Sequence, residues 1–264
     1  MVKGVSIKFK SYKDSVSNIL KITKFENEIA KHPVIVLKPF LRESAEKSTS
    51  PAFVEQVLRF CLDHKSPEAQ IFIAEGADGE DTMELFDKLG YKRLVEQYSV
   101  SLIDLNTADT EEIMDDNFLK FQPLMYPQIL KNSFLISLPK LSEDKELEML
   151  GGLSNMIGAF PAKFYSNWFS PGKSKLKKVH PKYAIHDILR CKMPDLSIID
   201  ASAQGHIILG NPIEIEKQAA TLIGKDWRSI QYLRLVDESF ASTLNWLAKK
   251  QEAKAQKAES ELSQ

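Results

Sequence analysis

Two hydrophobic patterns alternate along the chain. The first is a set of short, unbroken apolar runs: Val34-Ile35-Val36-Leu37, Ile71-Phe72-Ile73-Ala74, Phe134-Leu135-Ile136 and Leu196-Ser197-Ile198-Ile199. Runs without polar alternation suit strands buried on both faces, the situation of a parallel sheet. Further strands are predicted over 4–9, 98–103 and 206–209. The second pattern is helical. Ser50-Pro51 reads as an N-cap with proline at the first helical position, and Phe53, Val54, Val57, Leu58 and Cys61 then line one face to His64. Other helices are predicted over 12–22, 78–89 (stopped by Gly90), 181–191 and 212–223, and a long one capped by Asp226 through 247. Strand and helix in alternation argue an α/β fold, a mostly parallel sheet flanked by helices.

The pattern weakens twice. Residues 106–126 are acidic, broken by Pro123, and suit a linker, a lid or a short hairpin. They open a stretch, 105–195, that is expected to form a second lobe of the single domain 1–248. Residues 249–264 have no apolar stripe and read as a charged tail, frayed helix or disordered. The segment from Gly151 to Gly158 reads as the glycine-rich start of a helix of small residues.

Composition changes this picture little. The chain has 264 residues, 43% hydrophobic and 27% charged, with a formal net charge of -1. No global field draws it to membrane, and nucleic acid is not an expected partner. Without a leader or an apolar run of about 18 residues, the expected location is the cytoplasm. Cys61 and Cys191 are too few for an iron–sulfur cluster of the chain's own, and Cys61 reads as a core thiol.

Four apolar strands stop at a charged residue: Lys38, Glu75, Lys140 and Asp200. Ligands of open α/β sheets sit outside the carboxyl ends of the strands, so adjacent parallel strands would bring these four to one rim. Two lysines and two carboxylates suit an anionic substrate, a metal with a counter-cation, or a proton-transfer pair. Glu216 is a second anomaly. At about 100° per residue it falls within the apolar arc of Ile213, Ile215, Ala219, Ala220 and Ile223. A carboxylate aimed at a core costs several kcal/mol unless it is partnered or protonated. Asp200 and Glu216 are therefore the candidates for acid, base or metal ligand, with Lys38 and Lys140 holding an anionic group. Leucine at position 216 is expected to be tolerated unless a buried cation depends on the glutamate.

Other features have simpler readings. Asn211-Pro212-Ile213-Glu214 is an N-cap, an N1 proline and a capping-box glutamate, although such a terminus also holds anions. The segment 173–182, rich in lysine and containing His180, reads as a solvated loop or a phosphate-binding one. His186 and Asp187, adjacent on a helix, are expected to face apart. There is no Walker A motif, Rossmann glycine fingerprint, G-x-S-x-G or H-E-x-x-H.

Taken together, Val36-Leu37-Lys38-Pro39, Leu138-Pro139-Lys140-Leu141, Asn155 and Gly158, His180 with Ala184-Ile185-His186-Asp187, Ile198-Ile199-Asp200-Ala201 and Gly210-Asn211-Pro212 through Glu216 resemble the family called domain of unknown function 362. The likeness spans about residues 33–233. It departs from the family pattern at Phe40, at Ser154 and over 142–146, where a usual asparagine, lysine and Lys, Thr and His are missing. The resemblance implies an α/β fold, and a redox context from family members that carry a ferredoxin-like domain. It adds Asn155, His180 and Asp187 to the ligand-binding candidates Lys38, Glu75, Lys140 and Asn211. Two readings follow: an enzyme or binding protein for a small anionic molecule or metal ion, or a non-catalytic member acting through a protein partner by its charged C-terminal helix.

Overall fold

The unbroken apolar runs form the middle of a seven-stranded sheet. The computed structural model describes residues 4–167 and 172–240. The chain runs through β1 (Val5–Lys8), α1 (Tyr12–Ile22), α2 (Glu26–Ile29), β2 (Val34–Pro39), α3 (Pro51–His64), β3 (Gln70–Glu75), α4 (Thr82–Lys88), α5 (Lys92–Gln97) and β4 (Ser101–Asp104). It continues through β5 (Thr110–Ile113), β6 (Leu124–Pro127), α6 (Gln128–Lys131), β7 (Phe134–Leu138), β8 (Ser142–Asp144), β9 (Glu148–Leu150) and α7 (Ala162–Tyr165). Then come α8 (Pro181–Cys191), β10 (Leu196–Ala201), β11 (His206–Gly210) and α9 (Pro212–Leu222). A last helix occupies 231–240.

The sheet order is β1-β11-β10-β7-β2-β3-β4. Neighbours from β10 to β4 pair in parallel, and β11 alone is antiparallel to both its neighbours. The fold is α/β, as the alternation predicts. Successive side chains point to opposite faces, and two apolar clusters result. Ile35, Leu37, Ile73, Ile136 and Ile198 pack under α1, α3 and α4. Val36, Ala74, Leu135, Ile199 and Ile208 pack under α8, α9 and the segment around Met156.

Most boundaries fall close to the sequence pattern, and four stretches take a more specific or different form. The helix expected over 78–89 starts later, at Thr82, because Asp81 accepts the Glu84 N–H and caps it there. Segment 106–126 contributes β5 and the start of β6, which pair antiparallel as a small separate ribbon. The glycine-rich stretch makes only a 3-10 turn over Ser154–Ala159 and ends at Phe160-Pro161; within it Asn155 hydrogen-bonds across to the sheet at Lys38 O and Ser137 Oγ. Asp226 caps a short 3-10 turn, Trp227–Ser229, before the helix over 231–240. Residues 241–264, with the remainder of the span predicted as helix through 247, the charged tail and the surface expected to meet a protein partner, lie outside the described residues. Cys61 is a buried core thiol. No helix among the described residues is long and apolar enough to cross a membrane.

Candidate functional site

β2 and β3 lie side by side and end together at Lys38 and Glu75. Both side chains are completely buried, and the Lys38 ammonium pairs directly with the Glu75 carboxylate. Lys38 Nζ also donates to Asn155 O at 2.7 Å and Asn155 Oδ1 at 3.0 Å, so its three N–H groups all have acceptors. Burial pulls the Lys38 amine down and pushes the Glu75 carboxyl up, each countered in part by the other's charge. The pair is thus drawn toward sharing one proton.

A cleft of about 660 Å³ opens above this pair, between the 75–78 and 157–158 backbone and the start of α8. Glu75 lies in its wall, with Arg42, Lys173, Lys177, Lys178 and His180. Lys173 is 2% exposed, and its Nζ donates to Gly76 O at 2.6 Å and Gly158 O at 2.9 Å. Burial pulls its amine down to about 8, with Lys38 pushing the same way and Glu75 opposing. Gly172, at φ 74°, brings the chain close enough for Asp78 Oδ1 to accept the Lys173 N–H at 2.6 Å. A Cβ at 172 would collide with Gly79 N at 2.7 Å, so only glycine fits this approach.

A buried polar row crosses the sheet from this corner. Lys38, Ser137 and Ser197 are in register on neighbouring strands and share one face. Asn155 Nδ2 donates to Ser137 Oγ at 2.9 Å, and Ser137 Oγ donates to Gly152 O at 2.8 Å. On the far side of Gly152, Glu216 accepts the N–H groups of Gly152 at 2.6 Å and Leu153 at 3.3 Å, and the Tyr232 hydroxyl at 2.7 Å. Burial pushes the Glu216 carboxyl up to about 7, against the pull of these donors. Ser197 Oγ, packed against Gly152, has no hydrogen-bond partner among the described residues.

The expected rim of four charges does not form, even though its four strands are parallel and adjacent. Lys38 and Glu75 meet, and Asn155 joins them. Lys140 turns outward and donates to Glu46 O at 2.8 Å. Asp200 points to the opposite face, where it accepts the Tyr12 hydroxyl at 2.7 Å and the Ser202 N–H at 3.0 Å. Glu216 belongs to the α9 face, so Asp200 and Glu216 cannot share a metal ion or a substrate; the sheet lies between them. Among the described residues no group of three His, Cys, Asp or Glu side chains is placed to hold a metal. Asn211 caps α9, accepting from Ile213 and Glu214 at 3.1 and 3.3 Å, beside the opposite, amino end of β10.

Two candidates from the α8 region separate. His180 is the N-cap of α8, with Nδ1 accepting the Lys182 N–H at 3.3 Å, and stands exposed on the cleft wall. Asp187 lies away from it, accepting the N–H groups of Leu119, Lys120 and Phe121. His186 does not face away from Asp187: its Nδ1 lies 2.8 Å from Asp187 Oδ1. Three backbone donors draw the carboxylate to one side of α8, and the imidazole reaches across the gap between adjacent positions.

Lys173 and Arg42 are cleft residues that the sequence pattern hides, one in a lysine-rich stretch and one in a polar loop. Gly172 is the one local signal, because a glycine among lysines marks a backbone that must pass close to something.

The family described as Domain of unknown function (DUF362) matches residues 35–227, a span that holds the whole cleft. No curated protein matches the chain in sequence. Among solved structures, the lactate racemase apoprotein from Thermoanaerobacterium thermosaccharolyticum is similar, with a TM-score of 0.57 and 13% sequence identity. The match covers 85% of this chain and 58% of that one. The likeness is one of fold, and this chain spans only part of that protein's length.

Proposed function

The chain belongs to the family described as Domain of unknown function (DUF362), and from that premise we propose that its cleft binds a small anionic molecule and moves a proton at the cleft floor. The observation that carries this reading is the buried Lys38–Glu75 pair at the base of a cleft walled by Arg42, Lys177 and Lys178. The rim cations supply the attraction. Asp78 and Glu146 also line the cleft, and Asp78 is partly occupied by Lys177 at 3.8 Å. Low-dielectric walls make the remaining positive charge count for more than it would in water.

The floor supplies the chemistry. A lysine pulled down and a glutamate pushed up, in contact, can pass one proton between them and to a group held above them. That is an acid–base arrangement rather than a metal site. The solved structure of similar fold is named for a racemase of lactate, a small carboxylate, which accords with an anion of that size.

Isothermal titration of the full chain with inorganic phosphate, lactate and pyruvate tests the reading. Saturable binding of at least one is expected, weakened about tenfold or more in Arg42→Ala/Lys178→Ala, since each lost charge–charge contact is worth about 1 kcal/mol. Binding that ignores the double substitution, or no binding of any of the three, overturns it.

A further inference from the structure

Lys173 has the surroundings of a neutral amine. A protonated amine carries three N–H groups and no lone pair; a neutral one carries two and a lone pair. Among the described residues, Lys173 Nζ has two hydrogen-bond acceptors, the carbonyls of Gly76 at 2.6 Å and Gly158 at 2.9 Å. They satisfy both N–H groups of the neutral form and leave its lone pair unused. Lys38 differs in this respect, with three acceptors for three N–H groups and no place in the cleft wall. Charge agrees with the count. Lys38 and Glu75 pair with each other, and among the described residues no carboxylate forms an ion pair with Lys173, although Asp78 and Asp104 lie near enough to favour its charge. Its amine is pulled down to about 8 by burial, with Glu75 the largest opposing influence and Lys38 a smaller one in the same direction as burial. A lysine desolvated beside a second cation is an activated nucleophile.

We propose that the anion held in the cleft is a small oxo acid, an aldehyde or ketone bearing a carboxylate, and that Lys173 attacks its carbonyl carbon to form a Schiff base. This rests on the anion-binding reading above. Arg42, Lys177 and Lys178 on the cleft wall take the carboxylate, leaving the carbonyl toward the floor. The Lys173 lone pair forms the C–N bond, and the carbonyl π electrons move to oxygen. One amine proton passes to that oxygen through the Glu75 carboxylate, giving a carbinolamine. The Lys38–Glu75 pair then supplies a second proton to the hydroxyl. The C–O bond breaks, water leaves, and the nitrogen lone pair closes the C=N bond. The iminium now holds the positive charge that Lys38 has given up, so the buried charge is unchanged. No oxidant, reductant or metal enters the balance.

The test traps the iminium in the full chain with glyoxylate or pyruvate and cyanoborohydride, followed by intact mass and peptide mapping. One adduct per chain is expected, on Lys173, formed about tenfold or more faster than on any surface lysine. Its rate should rise with pH to a plateau with a midpoint near 8, and lactate, which has no aldehyde or ketone carbonyl, should slow it by competition. Lys173→Arg keeps donors for Gly76 and Gly158 and should bind lactate without forming this adduct. The peptide map of the unsubstituted chain decides the matter even if that variant does not fold. Adducts spread over surface lysines, with lactate still bound, overturn the Schiff base and leave the anion site standing. Neither lactate binding nor a Lys173 adduct overturns both.

Discussion

Asn155 holds Lys38 at both ends. Its carbonyl oxygens, backbone and side chain, accept from Lys38 Nζ at 2.7 and 3.0 Å, while its side-chain N–H donates back to the Lys38 backbone oxygen at 3.0 Å. One residue of the 3-10 turn therefore fixes both the ammonium and the strand end that carries it. The same amide reaches Ser137 on β7. The cleft floor is thus locked to two strands, which gives a proton-transfer pair the rigid support that such geometry requires.

Lys38→Met should destabilise the chain by about 3–5 kcal/mol, because it strands the Glu75 carboxyl in the core. Glu75→Leu should cost a similar amount by stranding the ammonium. Lys38→Met/Glu75→Leu should recover much of both losses. Urea midpoints of the four proteins measure this coupling. Single substitutions that each cost under about 1 kcal/mol would show that water or a neutral pair already relieves the site.

Gly158→Ala should damage the same corner without touching either charge. A Cβ built at 158 lies 2.8 Å from Lys38 Nζ and reaches Glu75 Oε1. Neither side chain has room to retreat, so overpacking of about 1–3 kcal/mol is expected, together with weaker lactate binding. Thermal melting and titration check the two effects. A variant that melts and binds like the parent would mean that the 157–158 turn can lift away from the pair.

Asp187→Ala should loosen the 119–121 segment and leave the cleft alone. Burial alone would push the Asp187 carboxyl up, but His186 and the backbone N–H groups of Leu119, Phe121 and Lys120 outweigh it and hold it below its usual value. A depressed carboxyl stabilises the fold above the unfolded-state pKa of about 4, and the contribution is lost as pH falls below that. Hydrogen exchange at Leu119, Lys120 and Phe121 should accelerate in the variant at pH 7, with lactate affinity unchanged. Unchanged exchange would show that the carboxylate is not what orders the segment.

The sequence revealed strand ends well and convergence poorly. Lys38 and Glu75 are legible because a buried strand that stops at a charge in an α/β fold points to its carboxyl edge. Whether such charges meet depends on the face each takes, and Asp200 illustrates this. It ends the right strand but falls on the Tyr12 side, a one-residue matter of parity that the run Leu196–Ala201 does not reveal, since every residue in it is buried. Lys140 sits one residue past Pro139, where the strand has ended and the side chain turns outward. Lys173 is invisible for the opposite reason. Its burial comes from Gly76 and Gly158, both distant in sequence, and its neighbours Lys175 and Lys177 are exposed.

Glu216 is where the helical arc located the anomaly without its explanation. The carboxylate is fully buried, and among the described residues no cation pairs with it; its partners are the N–H groups of Gly152 and Leu153 and the Tyr232 hydroxyl. The expectation that leucine would be welcome weighed only desolvation and a cation. Glu216→Leu removes the desolvation cost, but it leaves the buried N–H groups of Gly152 and Leu153 without an acceptor at about 1–3 kcal/mol each, while the Tyr232 hydroxyl keeps Met149 O at 3.3 Å. The net should be a loss of about 2–3 kcal/mol in a urea melt. Glu216→Gln keeps an acceptor and should lose less. The sign of the pH effect separates the charge from the contacts. Burial raises this carboxyl from 4.5 to about 7, so between those values the folded chain binds more protons than the unfolded one. Its contribution is fully present below about 4.5 and lost as pH rises to about 7, a fall of roughly 3 kcal/mol at 1.36 kcal/mol per unit. Glutamine does not titrate. The stability of the parent minus that of Glu216→Gln should therefore decline across pH 5 to 7. A difference that stays flat over that range would mean that the three donors keep Glu216 ionised throughout.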